Sequence, residues 1–174
     1  MNGRIHVESE PGKGTKFTVE IPLELASEEN ICKKELPEQT FMTDKNIGKR
    51  ILLAEDNELN AEIAMELLKE EGFLIDWVKD GQECFDKLEE ADEGYYDLIL
   101  MDIQMPILNG YDTTAKIRQM ENPKKAATQI VAMTANAFEE DIAMTQKVGM
   151  NGFIAKPLDA EKMFTILKQS IVEN

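Results

Sequence analysis

Five short apolar runs alternate with amphipathic segments from Lys49 onward, and this alternation restricts the possible folds more than any other feature of the chain. The runs occupy residues 51–54, 73–78, 98–101, 130–133 and 152–155. Runs of this length, separated by segments of helical periodicity, are typical of βα units, whose helical crossovers leave successive strands parallel. We therefore predict an α/β fold, with a doubly wound parallel sheet of five strands and helices on both faces.

The segments between the runs carry apolar residues at helical spacing, which indicates the faces that pack on the sheet. Between the first two runs, Leu59, Ile63 and Leu67 form one such stripe, and Gly72 is expected to end that helix. A hydrophobic content of 43% is enough for a core of this kind. The stripes expected for the later helices are Phe85 and Leu88, Ile117 and Met120, Ile142 and Val148, and Met163, Phe164, Leu167 and Ile171.

The charge balance and the cysteines restrict the partners and the compartment. With 19 Lys and Arg against 34 Asp and Glu, the formal charge is -15, which argues against binding to nucleic acid or to an anionic membrane surface. Cys32 and Cys84 lie far apart and outside any paired ligand spacing, so neither a disulfide framework nor a zinc site is predicted. No apolar stretch approaches the roughly 20 residues of a membrane span. We expect a cytoplasmic location, either of the whole protein or of the cytoplasmic part of a membrane sensor.

The amino-terminal residues predict a β-hairpin. Apolar and polar residues alternate around Ile5 and Val7 and again from Phe17 onward, with a turn sequence at 11–14 between them. The stretch GRIHVESEPGKGTKF at 3–17 resembles the last two strands of the ATP-binding domain of sensor histidine kinases, and its Gly-Lys-Gly matches the last glycine box of that family. The remainder of an ATP site is absent from this sequence, so no independent kinase activity is expected of the fragment.

Three regions follow from these patterns. By the resemblance, residues 1–25 are the remnant of a histidine kinase ATP-binding domain. Residues 26–47 are polar, contain Pro37 and show no sustained period, which predicts a linker. Residues 48–174 then form the α/β domain.

Residues that could carry chemistry follow the first, third, fourth and fifth apolar runs. Glu55 and Asp56 come after the first run, Asp102 after the third, Thr134 after the fourth and Lys156 after the fifth. The carboxyl ends of parallel strands meet at one edge of a sheet, where a reversal of strand order opens a crevice. We therefore expect these side chains to converge in one crevice.

Taken singly, most of these residues also have an ordinary structural explanation. Asp56 or Asn57 could cap the helix that follows, Thr134 could cap another helix, and Lys156 could be a surface lysine. Asp102 is the exception, because it ends a strand expected to be buried on both faces, where an unpaired carboxylate is costly.

Together the residues share one chemistry. Three carboxylates in a crevice repel one another unless a cation binds, and an all-oxygen site with room for water suits Mg²⁺. Mg²⁺ in turn suits phosphate, and a lysine and a hydroxyl would supply the remaining contacts to phosphoryl oxygens. Asp102 is then the natural nucleophile and would form an acyl phosphate.

Four short sequences resemble those of the receiver domain of two-component response regulators: LAEDN at 53–57, LMDIQMP at 100–106, MTAN at 133–136 and AKP at 155–157. The resemblance extends over residues 49–172. It implies a flavodoxin-like fold with strand order 2-1-3-4-5 and a function in phosphorelay signal transduction.

The resemblance also implies residue roles. Asp102 would accept a phosphoryl group from a phosphohistidine on a partner, Lys156 would pair with that group, and Thr134 would move to hydrogen-bond it. The residues implied to hold Mg²⁺ are Glu55, Asp56, Asp102 and the backbone carbonyl of Gln104.

Three positions are implied to tune the response. Phe153 matches the aromatic switch of the family, whose ring turns inward after Thr134 moves, although a phenylalanine in a strand is also an ordinary core residue. Gln104 and Asn136 occupy positions that influence how fast the acyl phosphate hydrolyses.

The two resemblances together imply the carboxyl-terminal part of a hybrid sensor histidine kinase. The expected partner is a histidine kinase dimerisation domain or a histidine phosphotransfer protein, and the receiver would catalyse its own phosphorylation and slow dephosphorylation. The chief alternative is a Mg²⁺-dependent phosphatase of the haloacid dehalogenase type, although that family has a second aspartate where this chain has Gln104. A flavodoxin-like binding module that is not phosphorylated is a third interpretation, and it predicts no dependence on Asp102.

Overall fold

The computed structural model describes residues 3–22, 48–135 and 139–172, which fall into two compact units, residues 1–40 and 41–174. The first unit contains the predicted hairpin, in which β1 (Arg4–Glu10) pairs antiparallel with β2 (Gly14–Glu20). The turn between them uses Gly12 at a φ of 80°, a conformation that costs glycine little. Four apolar side chains share one face of this hairpin and are at least half exposed: Ile5, Val7, Phe17 and Val19.

The second unit is built on a five-stranded sheet in which every neighbouring pair is parallel. Its strands are β3 (Arg50–Ala54), β4 (Leu74–Val78), β5 (Leu98–Asp102), β6 (Gln129–Thr134) and β7 (Gly152–Ala155). Each strand begins and ends within one residue of its predicted run. The order β4-β3-β5-β6-β7 is 2-1-3-4-5 when counted within this unit, which confirms the predicted fold. The order reverses beside β3, so a crevice opens at the carboxyl ends of β3 and β5.

Among the described residues, the helices that connect or follow these strands are α1 (Glu58–Glu70), α2 (Gly81–Glu90), α3 (Gly110–Arg118), α4 (Pro123–Ala126), α5 (Glu139–Lys147) and α6 (Ala160–Val172). Gly72 follows α1 at a φ of 85°, as expected for a residue that ends a helix. The short helix α4 was not predicted. Four residues are too few to show helical periodicity. The sequence indicates this helix only through its cap, Asn122, and through Pro123 in its first turn.

Alternate residues of the central strands point to opposite faces of the sheet, and each face is covered by a separate apolar cluster. In β3, Ile51 and Leu53 belong to one cluster and Leu52 and Ala54 to the other, and all four are fully buried. This burial on both faces explains why the strands read as continuous apolar runs.

The predicted buried face of α1 was wrong. Leu59 is 65% exposed and Ile63 is 47% exposed, whereas Ala61, Ala64 and Leu68 face the sheet. The observed face lies about one residue, or roughly 100°, around the helix from the predicted stripe. Periodicity gave most weight to the large apolar side chains, but two alanines let the helix lie close to the sheet. Leu67, at the margin, is partly buried against the core.

Within the part of the chain that the structure describes, no helix combines the length and the apolar character needed to cross a membrane.

Candidate functional site

Glu55 lies directly after β3 and is only 1% exposed. Its carboxylate accepts a hydrogen bond of 3.0 Å from the Asn60 side-chain amide and one of 2.6 Å from Lys156 Nζ. Asn57, not Asp56, caps α1, because its side-chain oxygen accepts a 3.1 Å bond from the Asn60 backbone N–H. Asp56 is therefore free of a capping role and is exposed at the mouth of the crevice.

Asp102 ends β5 and is 6% exposed. Its Oδ2 accepts a 2.7 Å bond from Lys156 Nζ, and its Oδ1 accepts a 3.2 Å bond from the Gln104 backbone N–H. The carboxylate thus lies at the buried strand end that the sequence predicted, and it is paired with the Lys156 ammonium.

Lys156 joins the two buried carboxylates. Its ammonium lies within hydrogen-bond distance of both Glu55 and Asp102, and its side chain is only 18% exposed. The alternative of an ordinary surface lysine is therefore wrong.

One carboxylate oxygen from each of Glu55, Asp56 and Asp102 lies within 4.8 Å of the corresponding oxygens of the other two residues. Oxygen ligands at this spacing fit a small hard cation such as Mg²⁺. One ammonium facing three carboxylates leaves net negative charge in the crevice, and this also favours a divalent cation.

Burial and charge shift the pKa values in this crevice. Burial raises the pKa of Asp102 above its ordinary value and the charge of Glu55 adds to this effect, whereas Lys156 and the Gln104 N–H lower it. Burial by itself would lower the pKa of Lys156, but its hydrogen bonds to Asp102 and Glu55 and their charges outweigh burial and raise it. The lysine therefore stays protonated at neutral pH.

Thr134 and Phe153 lie on the neighbouring strands β6 and β7. Thr134 ends β6 and is 7% exposed, and its carbonyl accepts a 2.7 Å bond from the Lys156 N–H. Phe153 is half-buried and packs against the apolar cluster that contains Leu52. Gln104 is exposed. Asn136 lies outside the described residues, and so does Phe138, near which Thr134 could have capped a helix.

Three residues near the crevice were not predicted. The Asn60 side chain donates a hydrogen bond to the Glu55 carboxylate, and Trp77 Nε1 donates one of 2.8 Å to the Glu55 carbonyl oxygen. Gly110 begins α3, where an added Cβ would collide with the carbonyl oxygen of Asp102. The Asn-Gly pair at 109–110 is the signal in the sequence that indicates this helix start, because Asn109 caps α3 and Gly110 has no side chain to collide with the strand.

Comparison with known proteins agrees with this geometry. The family model for the response regulator receiver domain matches residues 51–168. The chain belongs to this family. The similar receiver domains are those of hybrid histidine kinases, which is consistent with a function in phosphorelay signal transduction. None of these similarities favours a phosphatase of the haloacid dehalogenase type.

Two curated relatives are informative. The autoinducer 2 sensor kinase/phosphatase LuxQ of Vibrio cholerae is 33% identical over 170 residues, which cover 97% of this chain and 19% of that protein. Hybrid signal transduction histidine kinase I of Dictyostelium discoideum is 35% identical over 127 residues, 72% of this chain and 7% of that protein. The chain thus spans less than a fifth of the length of either relative.

Solved structures show the same fold. The receiver domain of sensor histidine kinase PA1611 from Pseudomonas aeruginosa is 36% identical with a TM-score of 0.64, over 72% of this chain and 98% of that one, and its structure has a magnesium ion coordinated in the active site cleft. The chemotaxis protein CheY4 of Vibrio cholerae shares the fold at 22% identity and a TM-score of 0.63, over 70% of this chain and 98% of that one.

Proposed function

We propose that this receiver domain takes a phosphoryl group from a phosphohistidine onto Asp102. The observation that carries the proposal is the placement of Lys156 Nζ, 2.7 Å from Asp102 Oδ2 and 2.6 Å from Glu55 Oε2. The lysine can contact an incoming phosphoryl group without leaving the crevice, and a bound divalent cation would offset the remaining negative charge that would otherwise repel that group.

Mg²⁺ fits the donor set of the crevice. The residues that would hold it are Glu55, Asp56, Asp102 and the backbone carbonyl of Gln104. When bound, the ion would neutralise charge on the phosphoryl oxygens during transfer.

The transfer itself is a substitution at phosphorus. An oxygen of Asp102 forms the new O–P bond while the N–P bond of the phosphohistidine breaks, and the released imidazole takes up a proton from solvent. Lys156 holds one phosphoryl oxygen, and the Thr134 hydroxyl donates to another. Water later hydrolyses the acyl phosphate, at a rate that the amides of Gln104 and Asn136 tune.

The acyl phosphate would act as a switch. A phosphoryl group adds about -1.5 to -2 charge and new acceptor oxygens at Asp102. Thr134 moves toward these oxygens, and the Phe153 ring turns into the space that Thr134 vacates. The surface around α5 and β7 then changes its affinity for a partner.

The similarity to LuxQ extends over 97% of the chain, well beyond the residues matched by the receiver model, and this supports a place within a hybrid sensor histidine kinase. In this organisation residues 1–25 end an ATP-binding domain, residues 26–47 link it to the receiver, and 48–174 form the receiver. The phosphoryl donor or acceptor is a histidine kinase dimerisation domain or a histidine phosphotransfer protein.

Intact-mass spectrometry tests the proposal. The chain is incubated with Mg²⁺ and acetyl phosphate, and separately with a phosphohistidine donor protein. We expect one phosphoryl adduct per chain, absent in Asp102→Asn and absent with EDTA. Sustained turnover of phosphate esters would instead favour a phosphatase, and no adduct with either donor would favour a binding module that is not phosphorylated.

A further inference from the structure

The loop that carries the acidic residues is held at its first residue, Glu55, by two hydrogen bonds to β4. The Glu55 N–H donates to the Val78 carbonyl at 3.1 Å, and the Glu55 carbonyl accepts from Trp77 Nε1 at 2.8 Å. The first bond continues the parallel ladder one step beyond Ala54, which pairs with Val78. Beyond Val78 the chain turns toward α2, and the second bond to Glu55 comes from a side chain instead of the backbone.

Asp56 depends on this backbone more than the other two carboxylates do. Glu55 and Asp102 are both held by Lys156 through their side chains. The Asp56 side chain makes no hydrogen bond or ion pair with any side chain that the structure describes, namely those of residues 3–22, 48–135 and 142–171. Its direction is therefore set by the backbone, and the peptide group that precedes Asp56 is the one whose carbonyl Trp77 holds.

We propose that Trp77 is a positioning residue for the divalent-cation site. Its indole N–H fixes the peptide plane between Glu55 and Asp56 and so sets the direction from which the Asp56 carboxylate reaches the cation. The inference rests on the proposed function, since it takes these carboxylates to be Mg²⁺ ligands. Groups that orient metal ligands commonly affect affinity although they do not touch the metal.

The indole is itself well held. Its ring is half-buried and packs against the apolar cluster that contains Ile51 and Leu53. The Lys79 ammonium lies 5.1 Å from the ring centroid and bonds at 2.8 Å to Glu58, the first residue of α1. The Lys79 side chain thus connects the ring to the start of α1, and the indole N–H is directed before any cation binds.

The substitution Trp77→Phe separates the hydrogen bond from the packing, because it keeps an aromatic ring and removes the N–H. A matched control is Tyr96→Phe, which removes the 2.9 Å bond from the Tyr96 hydroxyl to Asp76 on the same strand. Isothermal titration of the full chain with MgCl₂ measures the affinity of each protein. We expect Trp77→Phe to bind Mg²⁺ about tenfold more weakly than the wild type, and Tyr96→Phe to bind within twofold of it, at similar thermal midpoints.

A second readout uses the wild type alone. The chain has a single tryptophan, so its indole N–H gives one nitrogen–proton NMR signal. That signal should shift on titration with Mg²⁺ and saturate with the calorimetric dissociation constant. Mg²⁺ binding by Trp77→Phe within twofold of the wild type, or an equal loss in Tyr96→Phe, would overturn the inference. A wild type that binds no Mg²⁺ would overturn the proposed function and this inference together.

Discussion

Lys156 donates a 2.7 Å hydrogen bond to Oδ2 of Asp102 across the carboxyl ends of β7 and β5. The two side chains are 18% and 8% exposed, so little solvent screens the pair. Removal of one member of such a pair costs more than removal of a surface ion pair, because the remaining charge stays buried.

The substitution Lys156→Met tests this relationship. It leaves the carboxylates of Glu55 and Asp102 without their shared ammonium, and we expect the free energy of unfolding in EDTA to fall by about 3 kcal/mol. Mg²⁺ should raise the melting temperature of the variant more than that of the wild type, because the ion replaces the missing positive charge. Differential scanning calorimetry with and without Mg²⁺ measures both effects.

Lys162→Met is the matched control. Lys162 is 79% exposed and lies 3.6 Å from Asp159, so its loss should change the melting temperature little. Equal melting temperatures for the two variants in EDTA would contradict the importance of the buried pair.

Gly110→Ala should loosen the end of β5. The new Cβ would collide with the carbonyl oxygen of Asp102 and lie 3.0 Å from Cα of Ile103, both of them backbone atoms that cannot rotate away. We expect a loss of about 3 kcal/mol in urea unfolding. Gly152→Ala is the control, because its Cβ would meet no backbone atom within 4 Å among its nearest neighbours, which are side-chain atoms of Ile166 at 3.3 Å, Val131 at 3.7 Å and Ser170 at 3.9 Å. An unchanged urea midpoint for Gly110→Ala would show that α3 can move away from the strand without cost.

Glu71→Gln should stabilise the protein at neutral pH. Burial raises the pKa of the Glu71 carboxyl; the positive charge of Lys168 lowers it, and the negative charge of Glu70 raises it further. Its Oε2 has no hydrogen-bond partner among the described residues. A carboxyl whose pKa is higher in the folded state destabilises that state above the unfolded pKa, and the penalty disappears on acidification. The gain in melting temperature should therefore be present at pH 7 and vanish below about pH 4.

The same titration with Glu66→Gln controls for the loss of one negative charge at an exposed position of α1. A gain for Glu71→Gln that is the same at both pH values would mean that the carboxyl is not the cause.

Cys84 should resist alkylation in the folded protein. It is fully buried, and burial, with a smaller effect of Asp80, raises the pKa of its thiol far above the usual range, so the reactive thiolate is scarce. In a Cys32→Ser background, iodoacetamide at pH 8 should label the native chain at least about 100-fold more slowly than the chain in urea. Similar rates would show that the α2 face of the core opens readily.

The sheet was predictable because its strands are buried on both faces. Every residue of β5 is buried, so no exposed polar residue interrupts its apolar run, and the bounds of the run predict the bounds of the strand. The convergence of Glu55, Asp102 and Lys156 was predictable for a related reason, since parallel strands place their carboxyl ends together.

The details that escaped prediction depend on contacts rather than on patterns. The face of α1 was misassigned because Ala61 and Ala64 have little hydrophobic weight in a sequence but allow the closest approach to the sheet. Nothing in the sequence of Trp77 indicates that its N–H reaches the Glu55 carbonyl, because that contact depends on where β4 turns away from β3.

The hydrogen bond between Lys156 and Glu55 joins residues 101 positions apart in the chain. Both carboxylates precede Lys156 in the chain, so neither gains this cation until the last strand of the sheet is in place. The crevice acquires its final charge only after β7 has joined the edge of the sheet. The charge balance of the crevice therefore depends on the docking of the last strand.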